Sequence, residues 1–298
     1  MSVQKQFASL VQTAAQVRAS DLYVMPGEAG YRVFCYTATG IQPLADLTLA
    51  NGEALIRHIK FEAQMDISET RRPQLGRWCY LLDKEQLYLR ISSVGDFLNR
   101  ESIVVRLIFA VDDQHIQLTS QSDVAAIGET MMNGAGLILL AGQMGSGKTT
   151  TLHYLAHRYL AEKMVLTIED PVEVVQPDFL QLQVNKAAQM DYPDLLKLAL
   201  RHHPDVMIIG EIRDAQTAQI VVEAALSGHL IISTIHAMSH MGIWHRLRDF
   251  GIPAGTLRQV MGGMVYQKLV IQDGNTAADL AVLTGDALAE RMADWHAE

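Results

Sequence analysis

The segment LILLAGQMGSGKTT, residues 137–150, decides the fold of this chain. A run of apolar residues predicts a short buried strand, and the loop after it matches the pattern G-x-x-x-x-G-K-T. Glycines let successive backbone N–H groups turn inward around an anion, and a helix starting near Lys148 points its positive end at the same place. The pattern therefore predicts a phosphate-binding loop made of Gly142, Gln143, Met144, Gly145, Ser146, Gly147, Lys148, Thr149 and Thr150.

Two side chains of this loop have expected roles. Lys148 is predicted to reach the outer phosphates of a nucleotide, and Thr149 is predicted to ligate Mg²⁺. The expected cofactors are therefore ATP and Mg²⁺. We also expect Lys148 to be exposed in the loop and outside the core, so that its replacement leaves the fold intact.

Hydrolysis further requires an acidic residue near the metal and a group that orients water. Parallel strands deliver such groups at their carboxyl ends, beside the loop. The apolar run 206–209 leads to Glu211, which we predict as a metal ligand. The run 165–168 leads to Glu169 and Glu173, which are candidates for positioning water. The alternative for each carboxylate is a helix cap, and the sequence leaves open which one is the general base.

Two histidines flank a further apolar segment, residues 230–234. His229 and His236 are seven positions apart, which places them at opposite ends of the predicted strand. His236 is then at the end that faces the nucleotide. We predict a phosphate-sensing role for this pair, and an ordinary structural role is the alternative.

The distribution of patterns along the 298 residues predicts two domains. Residues 123–298 alternate short apolar strands with helices, which is typical of an α/β domain with a parallel sheet covered on both faces, here a RecA-like P-loop ATPase domain. Residues 1–110 mix helical and strand patterns and predict a small α+β, PAS-like domain. The polar stretch 111–122 is interpreted as the linker.

Composition excludes several classes of protein. The net charge of −9 argues against a nucleic-acid binder held by a large basic surface. No apolar stretch approaches the roughly 20 residues of a spanning helix, so we expect a soluble chain that reaches a membrane only through a partner. The two cysteines cannot form a four-cysteine zinc site. Cys35 and Cys79 are both expected to be buried thiols, and no zinc is predicted.

Four segments, in order, resemble the secretion ATPases of type II secretion and type IV pilus systems. Residues 142–150 are similar to the phosphate loop of that family, 167–173 to its Asp box, 200–214 to its atypical Walker B region and 227–237 to its His box. Further segments between residues 19 and 107, and residues 266–270, extend the resemblance. The chain lacks the zinc-binding insert and the extra N-terminal domain of larger members. It is therefore most similar to the competence pilus assembly ATPases of Gram-positive bacteria.

The resemblance implies a homo-hexameric ring in which arginines of one subunit approach the nucleotide of the next. Arg90, Arg106 and Arg201 match arginines of the family. A guanidinium fork suits phosphate oxygens, although a salt bridge within the domain is the alternative role for each arginine. The sequence departs from the family pattern at Tyr23 and His203, and at Gln143 within the loop, which puts details of regulation in doubt.

From this resemblance we expect a cytoplasmic ATPase, peripheral at the inner face of the cell membrane, that powers assembly of a competence pilus for DNA uptake. It would act on an integral membrane platform protein, with no direct contact to nucleic acid. The tail after Val270 has no match to the A-I-R motif of retraction motors. The alternatives are a retraction, type II secretion or conjugation motor, and a weakly hydrolysing scaffold or regulator. A DNA-translocating motor is disfavoured because no basic or aromatic strand-binding tract is evident.

Overall fold

The computed structural model describes residues 2–37, 39–83, 85–109, 116–185, 188–272 and 275–295. The chain divides into two units, residues 1–110 and 111–298. We call them the N-terminal unit and the C-terminal unit, and each has its own sheet and core.

The N-terminal unit is a six-stranded antiparallel sheet in the order β3-β2-β1-β6-β5-β4. Its helices pack on one face, where alternate strand residues such as Leu89 and Val105 join Phe7 and Ile56 in the core. Its elements are α1 (Val3–Gln16), β1 (Asp21–Pro26), β2 (Gly30–Thr37), β3 (Gly40–Thr48), α2 (Leu49–Glu62), β4 (Gln74–Leu82), β5 (Glu85–Gly95) and β6 (Glu101–Ile108).

The opposite face of this sheet carries a row of arginines. Arg77 pairs in register with Arg90, and Arg90 with Arg106 on the next strand. Residues directly opposite each other on neighbouring strands share a face, so the three side chains leave the sheet on the same side. Arg106 donates to the carboxylate of Asp21 on β1 at 2.8 Å. Two of the arginines predicted to be functional are thus neighbours on one surface.

A buried ion pair lies inside the N-terminal unit. Lys60 on α2 is fully buried, and its ammonium group donates to Glu101 on β6 and to the backbone carbonyl of Glu69, both at 2.7 Å. A charge removed from water must be paired and hydrogen-bonded to be tolerated. The pair therefore connects α2, the start of β6 and the loop before β4.

The two cysteines differ in exposure. Cys35 on β2 is buried, which raises the pKa of its thiol. Cys79 on β4 is exposed, so the expectation that both thiols are buried is wrong for this one. β4 is the last strand of the sheet order, and Cys79 lies two residues from Arg77 on the exposed side of its alternating pattern.

The C-terminal unit contains a seven-stranded sheet in the order β13-β12-β7-β11-β10-β8-β9. The six strands from β12 to β9 are parallel, and β13 is antiparallel to β12. This confirms the prediction of an α/β fold with a parallel sheet. The elements are α3 (Gln121–Asn133), β7 (Gly136–Gly142), α4 (Lys148–Tyr159), β8 (Val165–Glu169), β9 (Leu180–Gln183), α5 (Tyr192–Arg201), β10 (Val206–Ile212), α6 (Ala215–Leu226), β11 (Leu230–Ile235), α7 (His240–Asp249), α8 (Ala254–Val260), β12 (Met261–Gln272), β13 (Asn275–Thr284) and α9 (Gly285–Asp294).

The stretch interpreted as a linker, residues 111–122, falls in the C-terminal unit. Its residues 111–115 lie outside the described residues. The rest is fastened to β13: Leu118 bridges to Ala278, and the Thr119 hydroxyl donates to Asp279 at 2.7 Å. Helix α3 then begins at Gln121. In the described part of this stretch, Thr119 thus hydrogen-bonds to the edge strand β13, and Ser120 caps α3.

Across the described ranges of both units, no helix is long and apolar enough to cross a membrane.

Candidate nucleotide site

A cleft of about 520 Å³ opens where the carboxyl ends of β7, β8, β10 and β11 meet. Parallel strands all present their carboxyl ends at the same edge of a sheet, which is why residues distant in sequence gather there. The cleft brings together eight of the predicted residues, which are Met144, Gly145, Lys148, Thr149, Glu169, Glu173, Glu211 and His236.

The loop between β7 and α4 has the backbone that its glycines predict. Gly145 and Gly147 have φ values of +75° and +80°, a region that residues with a side chain rarely adopt. Gly147 is the N-cap of α4, which begins at Lys148. The amino end of a twelve-residue helix therefore lies at the cleft, where its partial positive charge favours an anion.

Lys148 differs from the prediction in one respect, because it is buried and not exposed. As the first residue of α4, it folds back over the loop and donates to the carbonyls of Gly142 and Gln143 at 3.0 and 2.9 Å. Burial lowers the pKa of its ammonium group, and the negative charges of Glu211 and Glu173 oppose that shift. Lys148 thus supports the loop as well as lining the cleft.

Glu211 lies beside an arginine and a histidine. The guanidinium group of Arg213 donates to one of its oxygens, and Nε2 of His236 lies 3.2 Å from the other. The β10–β11 register shifts between Ile209 and Ile212, and such an irregularity can redirect a side chain at the end of a strand. Hydrogen bonding also raises the pKa of Arg213. The carboxylate of Glu211 is therefore oriented at the cleft edge.

Glu169 is buried within a polar network below the cleft. Its carboxylate accepts from Thr167 at 2.6 Å and from Gln181 at 3.1 Å, and Nε2 of His153 lies 3.4 Å away. Burial raises the pKa of Glu169, but His153, Thr167 and Gln181 together outweigh it and lower the pKa overall. The network thus keeps this buried carboxylate ionised.

The remaining predicted residues are not among those that line the cleft. His229 precedes β11, so it is at the opposite end of that strand from His236. Arg201 is exposed in the last turn of α5, and Arg90 and Arg106 belong to the N-terminal unit. Among the other loop residues, Ser146 is buried, whereas Gln143 and Thr150 are exposed.

Six residues that line the cleft were not predicted as site residues, and they are Asp170, Pro171, Tyr192, Gly210, Arg213 and Thr234. Burial and the charge of Asp170 strongly raise the pKa of Tyr192, so its hydroxyl remains protonated. Thr234 donates to the carbonyl of Gly210 at 2.7 Å and joins the ends of β11 and β10. The neighbouring strand ends could have suggested Asp170 and Thr234. Nothing local distinguishes Tyr192.

The donor set fits a nucleotide with Mg²⁺. Backbone N–H groups at a helix amino end, a lysine and a hydroxyl are the groups that hold a phosphate chain and its metal. Carboxylates of Glu211 and Glu173 line the same cleft, and hard divalent cations prefer oxygen ligands. Thr149 and Glu211 are thus placed in the cleft that would hold the metal.

Comparison with known proteins agrees with this reading. Residues 1–292 match the family described as Type II/IV secretion system protein. The chain is 37% identical over 294 residues to "Competence protein ComGA" of Streptococcus pneumoniae, covering 99% of this chain and 92% of that protein. It is 34% identical to "Competence protein ComGA" of Bacillus subtilis, covering 90% of this chain and 76% of that one.

Two solved structures have the same fold. The ATPase DotB of Legionella pneumophila superposes with a TM-score of 0.75 at 20% identity, covering 95% of this chain and 81% of DotB. The pilus retraction motor PilT with bound ADP gives 0.73 at 22% identity, covering 96% and 85%. The predicted fold, family and ATPase activity are confirmed. The chain belongs to the Type II/IV secretion system protein family and is an ATPase of that family.

Proposed function

We propose that this chain is the cytoplasmic ATPase that powers assembly of a competence pilus for DNA uptake. One observation carries the proposal: the complete cleft, with loop, lysine and carboxylates, lies in a chain that aligns over 99% of its length with a competence protein. The motor is proposed to lie at the inner face of the cell membrane, where an integral membrane platform protein receives its motion.

Different residues of the cleft are proposed to bind the metal ion and the phosphates. Bound Mg²⁺ would supply positive charge that offsets the charge of the phosphates. Thr149 and Glu211 are proposed to hold that ion, with Glu211 oriented by Arg213 and His236. Lys148 is proposed to leave the loop carbonyls for the phosphates, because a phosphate is a better partner for an ammonium group than a neutral carbonyl.

Glu169 and Glu173 remain the candidates for positioning water. Glu169 is ionised, and its Oε1 accepts hydrogen bonds from Thr167 and Gln181. A carboxylate has about four acceptor sites, so its other oxygen, which His153 approaches, is proposed to accept from the water. Glu173 lines the cleft as well. His236 is proposed to sense the phosphate through Glu211, its neighbour at 3.2 Å. His229 is proposed to take part in this sensing only indirectly, through strand β11, which connects it to His236.

We propose that the working unit is a homo-hexameric ring. Arg90 and Arg106 form part of an arginine row on one face of a sheet that has no phosphate loop of its own. A surface of this charge suits the nucleotide of a neighbouring subunit, and Arg201 at the exposed end of α5 is a third candidate.

Replacement of Lys148 tests the ATPase site. Lys148→Ala is expected to abolish ATP turnover, and Lys163→Ala, which removes an exposed lysine of the same unit, is expected to retain it. Because Lys148 is buried, thermal unfolding of both variants must be compared with the parent. Turnover at the parent rate in Lys148→Ala would remove the phosphate-loop assignment.

Cells carrying the same replacement test the direction of the motor. They are expected to lack surface pili and to take up no DNA. Accumulation of extra, unretracted pili would show instead that the motor retracts. Full pilus assembly combined with negligible turnover of the purified parent protein would favour the scaffold alternative.

Mixing of two inactive variants tests the ring. Lys148→Ala subunits and Arg90→Ala subunits are expected to recover part of the activity when combined, because some interfaces then pair an intact loop with an intact arginine. Parent activity that is independent of protein concentration, in a strictly monomeric sample, would contradict a shared site.

A further inference from the structure

Gln267 is a buried polar residue directly behind the phosphate loop. It is on β12, which is parallel to β7, and in that register Gln267 is opposite Gly142, the last residue of β7. The two backbones approach so closely that a Cβ built on Gly142 would lie 2.3 Å from the carbonyl oxygen of Gln267. Strand β12 therefore packs directly against the start of the phosphate loop.

The side chain of Gln267 reaches further along the same loop. Fully buried, it donates through Nε2 to the backbone carbonyl of Ser146, four residues after Gly142. Lys148 donates to the carbonyls of Gly142 and Gln143. Three carbonyls of the loop are thus fixed by side chains, and the one nearest the helix is fixed by Gln267.

Fixing a carbonyl also fixes the next N–H group. The peptide bond is planar and trans, so the C=O of Ser146 and the N–H of Gly147 point in opposite directions across one rigid unit. A carbonyl turned toward Gln267 leaves the N–H of Gly147 turned away from β12. Gly147 caps the amino end of α4, where backbone N–H groups are the donors for a bound phosphate.

Two polar atoms at this contact lack partners. Within the described part of the chain, Oε1 of Gln267 and Oγ of Ser146 are both buried without a hydrogen bond. Both residues are more than nine-tenths buried. A buried polar atom without a partner is costly, and native sites retain such atoms where a ligand or a change of conformation supplies a partner.

We propose that Gln267 is a positioning residue for nucleotide binding: it orients the Ser146–Gly147 peptide so that the loop presents its N–H groups to the phosphates. It acts through the loop and does not touch the nucleotide. This inference rests on the proposed ATPase site, and it adds a determinant outside the G-x-x-x-x-G-K-T pattern, more than one hundred residues later in the chain.

The test is the replacement Gln267→Met in the full chain, which keeps the length and burial of the side chain and removes its N–H donor. The control is Lys268→Met, because Lys268 is next to it on β12 and pairs with Asp279, away from the loop. Dissociation constants for ATP and for ADP are measured by titration. Gln267→Met is expected to raise both by about tenfold, the effect of losing one ordinary hydrogen bond. Lys268→Met is expected to leave both unchanged.

Thermal unfolding without nucleotide separates positioning from packing. If Gln267 only filled space or stabilised the strand, Gln267→Met would lower the unfolding temperature while the folded protein kept its affinity, and the proposal would be overturned. Unchanged dissociation constants with an unchanged unfolding temperature would overturn it too. Lys148→Ala is measured in parallel: retained affinity in that variant would mean that the phosphate-loop assignment itself has failed.

Discussion

The two sheets of this protein differ in how many of their faces are buried. In the N-terminal unit every strand pair is antiparallel. Partly buried and exposed residues alternate along β4, and buried and less buried residues alternate along most of β6, so one face carries the core and the other carries the arginine row. In the C-terminal unit the central strands β7, β8 and β11 are buried along their whole length. A sheet buried on both faces can place polar chemistry only at the ends of its strands, whereas a half-covered sheet offers a surface. This difference predicts that a change in the core of the N-terminal unit alters stability, whereas a change at the strand ends of the C-terminal unit or on the arginine row alters activity.

The largest expected effect is on stability in the N-terminal unit. Lys60→Met leaves Glu101 buried without its partner, which typically costs about 3–5 kcal/mol. Hydrogen exchange of α2 and β6 amides should become faster in the full chain. The affinity for ATP should not change. The matched control is Arg57→Met, which removes an exposed pair with Glu53 on the same helix. A loss of nucleotide affinity in Lys60→Met would break the separation.

The converse effect is expected from Glu211→Gln in the C-terminal unit. The variant should bind ATP, yet its turnover should fall by about 10²–10³, because one charge is removed where the transition state requires it. Glu223→Gln, an exposed glutamate on α6, serves as the control. Single-turnover kinetics and ATP titration distinguish binding from chemistry. Parent turnover in Glu211→Gln would transfer the acidic role to Glu169 or Glu173.

A smaller kinetic effect is expected from His153→Phe. The phenyl ring keeps a planar ring at this position, although it is somewhat larger than imidazole, and it offers no N–H to Glu169. The pKa of Glu169 then rises because burial is opposed by fewer partners. Turnover should fall by about tenfold, which corresponds to the free energy of one hydrogen bond. The acid side of the pH–turnover profile should move to higher pH. His157→Phe, exposed on the same helix, should leave the profile unchanged. If the pH–turnover profile of His153→Phe is unchanged, the ionisation of Glu169 does not control the rate.

The smallest effect concerns Asp279, which joins Thr119 to β13. Hydrogen bonds from Thr119 and Lys268 lower the pKa of this carboxyl. A lowered pKa in the folded state stabilises the fold above the unfolded pKa, and that stabilisation disappears as the pH falls through the folded value. Asp279→Asn should cost a few tenths of a kcal/mol at neutral pH, since the side chain is partly exposed. In urea unfolding, the difference in stability between the parent and Asp279→Asn should vanish in acid. A difference that does not depend on pH would contradict the stabilising role of ionised Asp279.

The sequence predicts the parallel core better than the periphery, for a physical reason. Buried strands such as β7, and β10 over residues 206–209, are continuous apolar runs, so they can be recognised without knowledge of their neighbours. The edge strand β3 contains Pro43 and is largely exposed, so no apolar run marks it in the sequence. Helix α2 begins at Leu49 because Thr48 caps it, and its start is likewise not marked by an apolar pattern.

The site divides in the same way. The residues of the phosphate loop and Glu211 follow from local patterns, because strand, loop and carboxylate are continuous in the chain. His153 and Gln267 owe their positions to packing between separate elements, and no local spacing marks them. Arg213 contacts Glu211 from two residues further along the chain. Lys148 shows a third case, since its role was predicted from the pattern but its burial depends on how α4 begins.

The difference between the cysteines makes the arginine face accessible to chemical labelling. Cys35 is buried with a raised thiol pKa, so a maleimide dye added to the native protein should react at Cys79. That dye would sit two residues from Arg77, on the same face of β4. The labelling rate then becomes an optical measure of contact between subunits: it should fall as the protein concentration rises if assembly covers this face, and it requires no engineered residue.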